Sequence, residues 1–129
     1  MEDIDNAVKL TRDNTRTVSK EWIEENIPEG SKIAYEFFSP QLSVYPKRRF
    51  ELMDLGKGYI VDNDYQFYVN QSVEYIIISD HMKKRDYEEP EKYSLQISRY
   101  EELAKKARLI QLFDNADNPG PIIEIYRLQ

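Results

Sequence analysis

The stretch Val73-Glu74-Tyr75-Ile76-Ile77-Ile78-Ser79 constrains this chain more than any other. From Tyr75 to Ile78 its apolar residues run unbroken instead of alternating with polar ones, so a strand formed here presents apolar side chains to both of its faces and has to be covered on both. Residues 72–79 are therefore read as the central strand of a sheet, with helices packed against it.

The flanking sequence supplies those helices. Residues 15–26 fit one, capped by Asn14 or Thr15, with Val18, Trp22 and Asn26 at i, i+4, i+8 and Ile23 beside them as the expected buried stripe. Pro28 and Gly30 stop it. Residues 91–107 fit a second, with Tyr93, Ile97, Tyr100, Ala104 and Ala107 on one face and the pairs Glu101/Lys105 and Glu102/Lys106 on its wet side. Strands are expected at 32–38, closed by Ser39-Pro40, and at 49–54, where Phe50 and Leu52 alternate with Glu51 and Met53. A short helix through Asn70 follows the capping residues Asp62-Asn63-Asp64, and the polar residues 80–90 are expected to form a loop. Residues 108–113 and 122–128 flank the turn-rich 114–121 and predict an antiparallel hairpin.

Alternating strands and helices closed by a hairpin define an α/β fold: a two- or three-layer sandwich on a mixed sheet of about four or five strands, with a C-terminal antiparallel hairpin. Residues 14–129 are read as one domain behind a polar, flexible lead-in at 1–13. A chain of 129 residues buries roughly 65–70% of its unfolded surface, enough for one core.

Composition excludes several functions. There is no cysteine, which removes disulfides, thiolate nucleophiles and Cys-ligated zinc. The formal charge of -6 opposes binding to a phosphate backbone, so no nucleic-acid partner is expected. Apolar runs such as Ile76-Ile77-Ile78 and Ile122-Ile123 fall far short of the roughly 20 residues that cross a bilayer. No export signal is visible, so any such signal is expected to lie outside this chain.

His81 is the single histidine, beside Ser79 and Asp80, but no G-x-S-x-G elbow surrounds any serine and adjacency in sequence is not triad geometry. No catalytic set, metal site or cofactor is assigned. Asp62, Asn63 and Asp64 lack the Gly and Glu spacing of a calcium loop and are read as a helix cap; Gly56-Lys57-Gly58 is read as a turn. Tyr45, Tyr59 and Tyr87 fall in expected loops and are candidates for an exposed recognition surface. In open α/β sheets ligands collect beyond the carboxyl ends of the strands, which singles out Glu36, Ser39, Ser79, Asp80, His81 and Arg85 as the candidate ligand surface.

Three segments carry the most specific part of a resemblance that also takes in residues 21–36 and the Tyr75-Ile76-Ile77-Ile78-Ser79 strand: Asp13-Asn14-Thr15-Arg16-Thr17, the stretch Trp22-Ile23-Glu24-Glu25-Asn26-Ile27-Pro28-Glu29-Gly30-Ser31-Lys32-Ile33-Ala34, and the terminal Gly120-Pro121-Ile122-Ile123-Glu124-Ile125-Tyr126-Arg127-Leu128. From Asp13 onward the chain resembles the C-terminal soluble domain of polytopic glycosyltransferases of the dolichyl-phosphate-mannose protein mannosyltransferase type. The sequence departs from that family at Ser79-Asp80-His81-Met82, where members often carry two serines and an aromatic. The resemblance implies a domain on the extracytoplasmic face of a membrane, without catalytic residues of its own. Its partner would be the transmembrane portion of the parent enzyme, which binds the polyprenyl-phosphate sugar, and its contribution would be to assist a saccharide or protein acceptor or to steady the membrane core. A free-standing protein-interaction module and a small hydrolase dependent on His81 are the alternatives from other classes.

Overall fold

The computed structural model describes residues 14–36, 39–43, 46–55, 58–114, 116 and 118–128, and Tyr45 lies outside them. Among the described residues, five strands form one mixed sheet: β1 (Lys32–Tyr35), β2 (Glu51–Asp54), β3 (Tyr75–Ser79), β4 (Arg108–Phe113) and β5 (Ile123–Arg127), in the order β2-β1-β3-β5-β4. β1 runs parallel to both β2 and β3, while β5 is antiparallel to β3 and to β4. The C-terminal hairpin is therefore present, and the carboxyl ends of all three parallel strands lie along one edge.

Every residue of β3 is buried, as its unbroken apolar run requires. Helix α1 (Thr15–Asn26) covers one face, where Ile23 and Ile27 pack with Ile33, Ile77, Ile123 and Ile125. The opposite face is covered by a 3-10 turn (Ile60–Asp62) and helices α2 (Tyr65–Asn70), α3 (Asp80–Glu88) and α4 (Ser94–Lys106). There Ile60, Val61, Tyr68, Tyr100 and Leu103 pack on Ala34, Ile76, Ile78 and Tyr126, giving three layers.

Several elements differ from expectation. The stripe that α1 buries is Thr15, Ser19 and Ile23, continued by Ile27, whereas Val18 and Trp22 are half-buried and Asn26 is exposed. Small residues face inward because the start of the helix lies against the turn before β5: Thr15 N–H donates to the Pro119 carbonyl (2.8 Å) and Thr15 Oγ1 to the Pro121 carbonyl (2.5 Å). Trp22 instead meets Phe113 edge-on at the flank, with ring centroids 6.3 Å apart. On α4 it is Leu103, not Ala104, that is buried.

Residues 80–88 form a helix rather than a loop. Ser79 ends β3 and at once caps α3, its hydroxyl accepting from His81 N–H (3.3 Å), and Asp80 places a negative charge in the first turn. The helix buries only Met82 and Asp86, at i and i+4, so its sequence is almost wholly polar.

Candidate functional site

At the parallel strand ends, Glu36 follows β1 directly and is 3% exposed. One carboxylate oxygen accepts from Ser79 N–H at the end of β3 (3.0 Å), and the other from Ile60 N–H at the start of the 3-10 turn (2.9 Å). Burial pushes the carboxyl up to about 7, against the pull of those two N–H groups, and the neighbouring Asp62 and Asp86 push the same way. Around it the turn is held from several sides. The Tyr68 hydroxyl donates to the Ile60 carbonyl (2.6 Å), Arg99 to the Val61 carbonyl (2.9 Å), and Asp62 accepts from Tyr59 N–H (2.9 Å). Asp64 caps α2 through Phe67 N–H (2.9 Å), so both aspartates serve as backbone caps. Among the described residues, the buried hydroxyls of Ser39 and Tyr100 have no hydrogen-bond partner.

The structure divides the six candidate residues. Glu36, Ser39 and Ser79 are buried. Arg85 is turned to the α4 side: its guanidinium binds the buried Asp86 carboxylate (3.0 and 3.2 Å) and lies over the Tyr93 ring at 4.3 Å. Asp80 and His81 belong to a different surface. The backbone N–H of Asp80 donates to the Ile122 carbonyl (2.9 Å), and its carboxylate accepts from Ile122 N–H (3.0 Å), which locks the start of α3 to the start of β5.

Beside that lock lies a recess of about 370 Å³ lined by Asn14, Arg16, Asp80, His81, Lys84, Gly120 and Pro121. It brings together three stretches far apart in sequence: the capped start of α1, the start of α3 and the turn into β5. Gly120 is needed there, because its φ of +113° suits glycine and a Cβ at that position would run into the Asn14 carboxamide. That carboxamide is itself occupied, accepting from Arg16 N–H (2.9 Å) as the cap of α1. Arg16 and Lys84 contribute two cations, and Asp80 an acceptor, around an open space. Such a set suits an anionic group or the hydroxyls of a saccharide. Among the described residues, no group of three His, Asp or Glu could hold a metal ion.

A second hollow, of about 570 Å³, adjoins it along α3 and is lined by Asp80, Lys83, Lys84, Tyr87, Ile122 and Glu124, with Lys83 paired to Glu124 (2.9 Å). Of the recognition tyrosines, Tyr87 is exposed here, whereas Tyr59 is half-buried as the residue before the 3-10 turn. Asn14, Arg16, Lys84, Gly120 and Pro121 were not among the residues the sequence singled out as a ligand surface. Four of them sit inside the motif segments at the two ends of the domain, but nothing in a linear reading places those ends beside Asp80.

No family model, curated protein or solved structure matches the chain. Among the described residues no helix is long and apolar enough to cross a membrane.

Proposed function

We propose that this chain is a non-catalytic domain of a membrane-bound glycosyltransferase that uses a polyprenyl-phosphate-linked sugar. In this proposal it stands on the extracytoplasmic face beside the transmembrane portion of the parent enzyme and assists at the acceptor or carrier group through the recess at Arg16, Asp80, His81 and Lys84. The observation that carries it is convergence. Two of the three segments through which the chain resembles that family, the Asn14–Arg16 start and the Gly120–Pro121 turn, meet at one recess although more than a hundred positions separate them. The start of α3 completes the same recess.

An accessory role is supported by the place of Glu36, whose carboxyl titrates near neutrality. Both of its oxygens are engaged by backbone N–H groups, and it is not among the residues that line the recess.

The test is transfer from a polyprenyl-phosphate sugar by the longer protein, with and without residues 14–128, and with Arg16→Ala and Lys84→Ala. Loss of transfer on deletion, together with reduced transfer in both variants, is expected. Undiminished transfer after deletion, or transfer catalysed by the isolated chain, would sink the proposal.

A further inference from the structure

β4 lies at the edge of the sheet, and among the described residues no strand pairs with the outer side of its backbone. Such an edge is a template for a further strand. We propose that it pairs with β4 of a second copy of this chain, antiparallel, about a two-fold axis between Ile110 and Gln111, so that two five-stranded sheets join into one.

The pattern of faces carries the inference. Leu109 lies opposite Tyr126 and Leu112 opposite Glu124, residues two apart on β5, so both leucines point to the same side of the sheet. A regular strand puts residues three apart on opposite sides. The irregularity between Leu109 and Gln111, which leaves Ile110 out of the register, brings the leucines together. Arg108, Gln111 and Phe113 lie opposite Arg127, Ile125 and Ile123 and so point the other way, the side on which Ile110 and Phe113 pack against the α1 core.

The six positions therefore read alike from either end: Arg108 shares its face with Phe113, Leu109 with Leu112, and Ile110 with Gln111. This is what a two-fold axis through the middle of the strand requires of two directly opposed antiparallel copies. In that arrangement each Leu109 meets Leu112 of the other copy, covering side chains that are 45% and 47% exposed in the single chain. Arg108, which faces Arg127 within its own chain, comes to the end of the opposing strand, where Asp114 is exposed. An unrelated extended peptide could use the same backbone edge but has no need of this symmetry.

Because the chain has no cysteine, one introduced thiol is an unambiguous probe. The expected result is a sedimentation-equilibrium mass twice the 15.4 kDa of the chain, and a covalent dimer when Gln111→Cys, next to the axis, is mildly oxidised. Leu95→Cys, exposed on α4, is the control and is expected to cross-link far more slowly. Leu109→Lys is expected to weaken the dimer about tenfold or more, with its fold checked by circular dichroism. Should that variant fail to fold, the cysteine pair still decides. A single-chain mass at every concentration, polymers beyond the dimer, or cross-linking at Gln111→Cys no faster than at Leu95→Cys would overturn the proposal.

Discussion

The Glu36 carboxyl group joins three pieces of backbone, since it follows β1 and accepts from the end of β3 and from the 3-10 turn. Its removal in Glu36→Ala leaves two buried N–H groups without partners, each costing about 1–3 kcal/mol. The pH dependence is the sharper test. The folded carboxyl titrates near 7 against an ordinary value of 4.5, so the folded state holds this proton more tightly than the unfolded chain does. Stability from this group is fully present below about pH 4.5 and is lost as pH rises to about 7, by roughly 3 kcal/mol. Urea unfolding at pH 5 and pH 8 should show wild type losing more stability across that range than Glu36→Gln, and equal losses would contradict the account. The sequence placed Glu36 at a strand end but not its burial, because the two N–H groups that hold its carboxylate, of Ile60 and Ser79, lie 24 and 43 positions further along the chain. Trp22 is the opposite case. As the largest side chain of its helix it was expected in the core, yet the line Thr15-Ser19-Ile23-Ile27 permits a closer approach to the sheet and the turn before β5, and leaves the indole at the rim.

Among the elements, α1 and the turn into β5 depend on each other. Asn14 caps the helix while its carboxamide fills the space that a side chain at residue 120 would occupy. Asn14→Ala is expected to cost about 1 kcal/mol through the lost cap. Gly120→Ala should cost about 1–3 kcal/mol through backbone strain and collision. In the double variant the collision is gone, so the combined loss measured by urea unfolding should be smaller than the sum, and strict additivity would show that the two residues do not touch. β3, α1, α4 and the hairpin were legible because each carries strong periodicity or turn chemistry. α3 was not. Its start signal, Ser79 followed by Asp80, is hidden in the last residue of a strand, and with only Met82 and Asp86 buried it shows almost no apolar period.

For the whole molecule, the α/β class, the mixed sheet and the layers follow from the order of elements, but the placement of β1 between β2 and β3 does not, because no local signal specifies which strands become neighbours. That placement sends Glu36, Ser39 and Ser79 into the interior and leaves Asp80 and His81 with Arg16 and Lys84 at the recess. The central claim is that this recess receives the acceptor or the carrier phosphate. The direct measurement is a two-dimensional amide NMR titration of the 129-residue chain with a short-chain polyprenyl phosphate, an oligosaccharide and an acceptor peptide in separate series. At least one series is predicted to shift the amides of Arg16, Asp80, His81, Lys84 and Gly120 together, and the shifts should shrink in Arg16→Ala and Lys84→Ala. Silence in all three series, or shifts confined to surfaces such as α2 and β2, would contradict it.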